Sequence, residues 1–267
     1  MTLEAIMRLT AFFGVFVACA VWEAARPQRR WYHPRIKHWA TNLGLMLINT
    51  LVTRFTVGAV AVAAALWAQS SGFGLLQWLA PQSVFGQALA VLFALLALDL
   101  AIWFQHWLTH RWTPLWRLHR VHHTDLELDV TTALRFHPVE ILLSLLFKAI
   151  LVIALGIDVW VVIVFEALLS ASALFNHANI RLPKAVDRVL RWVIVTPDMH
   201  RIHHSVEPNE TNSNYGFFLS WWDRLFETYR VSAKDDHLTM PLGLKEYRQS
   251  DQLTLPKLLV QPWRGVE

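Results

Sequence analysis

The sequence predicts an all-α, multi-pass helical membrane protein, because its apolar residues are concentrated in long runs. The chain has 267 residues, of which 55% are hydrophobic and only 16% are charged. Soluble domains are closer to a quarter charged, and about 20 consecutive apolar residues are enough for a helix to cross a bilayer. We therefore expect four to five membrane helices, followed by a polar helical cap over residues 178–267.

Three apolar runs lie in the first part of the chain. We expect membrane helices over about Leu3–Trp22, Leu43–Ala68 and Val84–Phe104. The first run could be mistaken for a signal peptide, but it begins with an acidic residue, Glu4, and lacks a basic segment before the apolar part. We therefore interpret it as a retained membrane helix.

The next apolar block, residues 139–176, is too long for one membrane helix. The sequence "LGID" at 155–158 offers a turn within it, and glycine is common immediately after the end of a helix. We expect a helical hairpin here.

Basic residues predict the orientation of these helices. Five Lys or Arg lie in 26–38, four in 106–138 and twelve after His177, whereas 69–87 has none. Because Lys and Arg are enriched in cytoplasmic loops, we expect a multi-pass protein, of a bacterial inner membrane, with these basic segments in the cytoplasm. This distribution also argues against a nucleic-acid partner. We divide the chain into N-terminal membrane helices (1–83), a catalytic region (84–230) and a cytoplasmic tail (231–267).

Thirteen histidines are present, and eight of them form three clusters with the spacings HxxxH, HxxHH and HxxHH. Residues at these spacings share one face of a helix. "TPDMH" at 196–200 also reads as a helix start, with Thr196 as the N-cap. The clusters are His106 and His110; His119, His122 and His123; and His200, His203 and His204.

Imidazole is the commonest metal-binding side chain and suits zinc, copper, iron and nickel. Eight imidazoles at the membrane edge are more than one ion binds, and they therefore predict a site for two metal ions. A solvated polar patch is the alternative for any single histidine. The helix-borne HExxH pair of zinc hydrolases is missing. A histidine-rich site for two metal ions beside lipid is suited to activating O₂ when the metal is iron.

The clusters and the sequences around them resemble the fatty acid hydroxylase superfamily, also called the sterol desaturase family. Further matches are "RFHPVE" at 135–140, "FNHANIRLP" at 175–183 and "NSNYGFFLSWWDRLFETYR" at 212–230. One departure is Glu227, where the family usually has glycine. The resemblance covers about Asp99 to Arg230. It implies a membrane enzyme with two iron ions, which zinc can replace in preparations, and O₂ as co-substrate.

The resemblance also implies that the eight clustered histidines bind the metal ions and that His177 is a further ligand. His137 could be a ligand, orient one, line the substrate path or cap a turn before Pro138. The remaining isolated histidines, His33, His38 and His237, are expected to have no role in the site.

Acidic residues in apolar runs are costly and seldom accidental. Asp99 lies seven residues before His106, and we expect it to accept a hydrogen bond from a metal-binding histidine, as carboxylates near metal sites commonly do. An ion pair with Arg54 or Lys148 is the alternative. Further candidates for such orienting contacts are Glu140, Glu166, Asp198 and Asp223. Two arginines, Arg120 and Arg201, occupy the same position in the two HxxHH clusters. They could pair with carboxylates near the metal site or with lipid phosphates.

The expected function is O₂-dependent hydroxylation or desaturation of an unactivated C–H position of a membrane lipid. Fatty acyl, sphingoid and sterol-like substrates remain open. Electrons would come from an external donor protein, because no nicotinamide, flavin or haem-binding segment is evident in the sequence. The alternatives are a zinc-dependent membrane hydrolase and a non-enzymatic metal-binding membrane protein.

Overall fold

The computed structural model describes residues 3–32, 34–80 and 83–265. Within these ranges it is all-α, with isolated β-bridges and no β-strand. Four stretches are long and apolar enough to span a membrane, and α1 adds a shorter apolar helix. This confirms the predicted multi-pass helical architecture. The α-helices are α1 (Leu3–Ala25), α2 (Arg35–Thr56), α3 (Val60–Ser71), α4 (Leu75–Leu79), α5 (Val84–Arg111), α6 (Thr113–His123), α7 (Pro138–Leu155), α8 (Val159–His177), α9 (Lys184–Leu190), α10 (Pro197–His203), α11 (Pro208–Thr211), α12 (Trp221–Leu225) and α13 (Leu255–Val260).

The second predicted membrane helix is wrong in its extent. The structure has two helices in its place, α2 and α3, and α2 begins at Arg35, directly after Pro34. The break follows Thr56, where Gly58 has a positive φ of 53°, a conformation that glycine adopts at little cost. The apolar residues continue across this break, which is why hydropathy alone did not reveal it.

The predicted hairpin is confirmed. Helix α7 ends at Leu155 and α8 begins at Val159, with Gly156 in the left-handed conformation between them. A Cβ atom on Gly74 would lie 2.3 Å from the backbone nitrogen of Gly156, so the 69–87 loop and the hairpin turn meet closely. They lie at the same end of the helices, as expected for segments on one side of a membrane.

The apolar core of the membrane part lies between α3, α5, α7 and α8. It includes fully buried side chains such as Leu98, Val152 and Val162. The last turns of α5 and α8, the first turn of α7, and all of α6 and α10 meet at the other end, and this end carries the histidines.

Candidate metal centre

Nine predicted site histidines come together at this end of the helices. Helix α5 contributes two of them, α6 three, the last residue of α8 one, and α10 with its C-cap three. Thr196 is the N-cap of α10, as predicted, and its hydroxyl accepts a hydrogen bond from the backbone nitrogen of Met199. The side chain of Thr196 also donates to Asp187 over 2.6 Å, which fixes where α10 begins.

The nine histidines form two groups. In each group, one potential ligand atom from every residue lies within 4.8 Å of the others. The first group is His106, His110, His119, His123 and His203, and the second group is His122, His177, His200 and His204. Both HxxHH clusters are divided between the groups. Each HxxHH cluster therefore contributes to two neighbouring sites at once.

In the first group, hydrogen bonds fix which ring nitrogen carries the proton on three imidazoles. The Nδ1 atoms donate to acceptors that cannot donate in return, so each Nε2 atom keeps a lone pair that faces the group. These bonds run from His106 to the carbonyl of Tyr215 (2.7 Å), from His119 to Oε1 of Glu140 (2.6 Å) and from His203 to the carbonyl of Ser213 (2.7 Å).

Two imidazoles of the second group follow the same rule. His122 donates from Nδ1 to the carbonyl of Arg135 over 3.2 Å, and His177 donates to the carbonyl of Ala173 over 2.7 Å. The Nε2 atoms of His122 and His177 are 3.1 Å apart, and those of His106 and His119 in the first group are also 3.1 Å apart. Lone pairs this close repel each other unless a cation lies between or beside them.

Eight of the nine imidazoles are buried and His110 is partly buried, and burial disfavours the charged form of those on α6 and α10. Burial is the largest cause that places the pKa of His122, His123, His200 and His204 well below the ordinary value, with neighbouring imidazoles adding to the effect. Burial likewise lowers the pKa of His203 to about 3. The Nε2 atoms of His123 and His203 and both ring nitrogens of His110 also have no hydrogen-bond partner in the described part of the chain. Neutral, unpaired nitrogens converging in this way fit two metal ions.

Around the first group, Asp223 holds the segment that contacts His106. Its carboxylate is fully buried. It accepts hydrogen bonds from the backbone nitrogens of Tyr215 and Gly216, both at 2.8 Å, and from the indole of Trp103 at 3.0 Å. Tyr215 in turn offers its carbonyl to His106. The geometry thus links Asp223 to His106 through one peptide unit.

Asp99 does not make the predicted contact with a histidine. Its Oδ2 atom accepts hydrogen bonds from the indole of Trp222 (2.8 Å) and from the backbone nitrogen of Leu219 (3.2 Å). Asp99 therefore tethers the 219–222 segment to α5. The contact predicted for Asp99 is instead made by Glu140, on α7, to His119.

The other candidate carboxylates have different partners. Glu166 pairs with Lys148 across the α7–α8 hairpin, and the Nδ1 atom of His177 donates to the carbonyl of Ala173. Asp198 pairs with Arg201, which gives that arginine a carboxylate partner. Arg120 instead donates to the backbone carbonyls of Gln261 and Arg264.

His137 lies outside both histidine groups. It is the N-cap of α7, where Nδ1 accepts a hydrogen bond from the backbone nitrogen of Val139 at 3.2 Å. Its other nitrogen donates to the carbonyl of Leu259 at 3.1 Å. Of the alternatives left open for His137, the structure shows the cap before Pro138.

His137→Ala is therefore expected to leave the metal content unchanged and to lower the free energy of unfolding by about 1 kcal/mol, the usual value of an N-cap. Metal analysis of the purified variant and its thermal unfolding in detergent check this. Loss of one metal ion per chain would instead make His137 a ligand.

His38 is not isolated, contrary to expectation. Its Nε2 atom lies 2.8 Å from Oδ1 of Asp125. Asp125 is the second residue after the first HxxHH cluster. The charges of His38 and Arg135 oppose the effect of burial and hold the pKa of Asp125 well below its usual range. Sequence gave no signal for this contact, since the partners are 87 residues apart. His237 joins neither group, and His33 lies outside the described residues.

A cavity of about 250 Å³ adjoins the first group, with His106 and His119 on its wall. Most of the remaining wall is apolar and comes from α1, α5, α7 and α8, for example Phe12, Ile141 and Leu169. Such a cavity can hold part of a lipid next to the histidines.

Comparison with known proteins identifies relatives of this arrangement. The sequence model described as fatty acid hydroxylase matches residues 91–228, just over half of the chain. The ornithine lipid hydroxylase OlsE of Rhizobium tropici is 29% identical over 203 residues, which are 74% of this chain and 58% of that protein. Alkylglycerol monooxygenases are also similar. The zebrafish protein (Danio rerio) is 29% identical over 64% of this chain and 37% of its own length, and the human protein is 24% identical over 52% and 30%.

The matched region thus spans only between about a third and three fifths of these relatives. No solved structure matches significantly.

Proposed function

The chain belongs to the fatty acid hydroxylase family, and on that premise we propose that it is an O₂-dependent oxidoreductase that hydroxylates or desaturates a membrane lipid. One observation carries the proposal: nine converging imidazoles, eight of them buried, form two adjacent groups, and an apolar cavity adjoins the first group. The curated relatives, a lipid hydroxylase and monooxygenases of alkylglycerols, act on the same broad class of molecule. The nine histidines would hold two iron ions, five ligands on one side and four on the other.

Two bound iron ions would supply the redox chemistry that allows O₂ to attack an unactivated C–H bond. The protein contributes the remaining requirements. Glu140 and the carbonyl of Tyr215 hold the Nδ1 protons of His119 and His106, so their Nε2 atoms stay available as ligands. Such contacts beyond the ligands fix ring direction and raise ligand basicity. The apolar cavity excludes water and holds the lipid chain in one orientation, which lowers the entropic cost of reaching the reacting geometry.

Electrons would enter from an external donor protein at the polar face of the first group. A second cavity of about 290 Å³ reaches His110 from this face, and its lining includes Trp116, two basic residues, Arg120 and Lys245, and one acidic residue, Glu246. The ring of Trp116 is centred 5.0 Å from that of His110, and the neighbouring Arg117 is exposed. We propose that an acidic one-electron carrier docks here, and that the chain is oriented in the membrane so that this face lies in the cytoplasm.

Comparison of lipid profiles tests the proposed function. Cells that express the chain are expected to contain a lipid that has gained one oxygen or lost two hydrogens, only when O₂ is present. Cells with the empty vector, and cells with His203→Ala, should lack it. A lipid change that persists without O₂ would contradict an oxygenase and favour hydrolysis at a zinc-loaded site.

A further inference from the structure

The cavity beside the first histidine group has a polar strip on its otherwise apolar wall. Gln105, on α5, directly precedes His106, and Ser144, on α7, lies one helical turn after Glu140. Residues four apart lie on the same face of a helix, so Glu140 and Ser144 border the cavity together. The strip is therefore next to the histidines and not at the far end of the cavity.

The hydrogen bonding of this strip is incomplete. Ser144 donates from its hydroxyl to Oε1 of Gln105 over 3.2 Å. This bond orients the side-chain amide of Gln105, and no described residue accepts a hydrogen bond from its Nε2 atom. Gln105 is partly exposed on the cavity wall, so its Nε2 atom can donate to a bound molecule.

Glu140 supplies a matching acceptor. Its side chain is more than nine-tenths buried. Oε1 accepts the proton of His119, whereas Oε2 has no hydrogen-bond partner in the described part of the chain. The cavity wall thus carries one unused donor and one unused acceptor beside the first histidine group. An unfunctionalised hydrocarbon chain would satisfy neither of them.

We propose that the substrate is a lipid in which the oxidised carbon lies within a few bonds of a group that both accepts and donates a hydrogen bond, as a secondary amide or a hydroxyl does. The lipid oxygen accepts from Gln105, and its N–H or O–H donates to Glu140. This polar group then fixes which carbon faces His106 and His119. The inference rests on the proposed function and narrows its substrate class: a methylene in the middle of a chain is not the target.

The test uses the full-length, iron-loaded protein and three synthetic lipids with the same chain length, in which the chain is linked by an amide, carries a hydroxyl, or is linked by an ester. Wild-type protein should prefer the amide or the hydroxyl lipid, and these two arms show which group is recognised. Gln105→Leu is expected to raise KM for the preferred lipid about tenfold, the equivalent of one hydrogen bond, with kcat retained and oxidation spread over several carbons. Ser144→Ala should act in the same direction by about threefold.

Matched controls are Gln87→Leu, an exposed position on the same helix, and Ser172→Ala on α8, where the hydroxyl bonds within its own helix. Neither should change KM or the position of oxidation. Unchanged KM and position in both Gln105→Leu and Ser144→Ala would overturn the inference, as would equal use of the ester lipid by wild-type protein.

A second readout separates this inference from the proposed function. Native mass spectrometry of iron-loaded protein, kept without O₂ or a reductant, measures which of the three lipids is retained. Selective retention by wild-type protein that is lost in Gln105→Leu supports the substrate class even if no lipid is ever oxidised. Oxidation without such selectivity supports the function and contradicts the substrate class.

Discussion

His203→Ala is expected to weaken metal binding in the first group and to lower lipid oxidation by roughly 100-fold or more, since small displacements at a reacting centre cost about that much. His203 is fully buried, and no described residue forms a hydrogen bond with its Nε2 atom, which faces the first group. The substitution leaves four imidazoles in the first group and does not touch the second. Metal analysis and product formation by the purified variant measure both effects.

His237→Ala is the control for this experiment, because His237 is a partly buried histidine outside both groups. It should keep two metal ions and full activity. Full metal content and activity in His203→Ala would show that the ligand assignment is wrong.

Asp223→Ala is expected to lower the free energy of unfolding by about 3–5 kcal/mol, because it leaves several buried donors without an acceptor. The donors are the indole of Trp103, the backbone nitrogens of Tyr215 and Gly216, and the hydroxyl of Thr228. Metal affinity should also fall, roughly 10–100-fold, as it does when contacts beyond the ligands are lost. Thermal unfolding and metal titration in detergent check the two effects.

Asp223→Asn separates the two roles of this carboxylate. The amide has the same shape and keeps one oxygen, so we expect a smaller loss of stability, about 1–3 kcal/mol, and a smaller loss of metal affinity. Wild-type metal affinity in a destabilised Asp223→Ala protein would contradict a link from Asp223 through Tyr215 to His106.

The helices could be predicted where hydropathy and a turn signal coincide. The α7–α8 hairpin was predicted because Gly156 lies within a long apolar block. The break between α2 and α3 could not be predicted because apolar residues continue through it. The one glycine there, Gly58, is no signal by itself, since glycine is also frequent inside membrane helices.

Eight of the nine histidines of the site could be predicted because their spacing is local and helical, whereas the isolated His177 follows only from the family resemblance. The supporting contacts could not be predicted, since they depend on tertiary structure. The carbonyl of Tyr215, which accepts the proton of His106, has no signature in the sequence. Asp99 was assigned to a histidine because both lie on α5, but the folded chain brings Trp222 to it across 123 residues.

A single-turnover experiment with ¹⁸O₂ tests the central claim most directly. Iron-loaded protein is reduced chemically and given lipid and ¹⁸O₂. The expected product is a lipid that carries one ¹⁸O atom, or a lipid that has lost two hydrogens while O₂ is consumed. The yield should follow the content of two iron ions per chain. A product whose new oxygen comes only from water, or a yield independent of O₂ and of bound iron, would contradict the account.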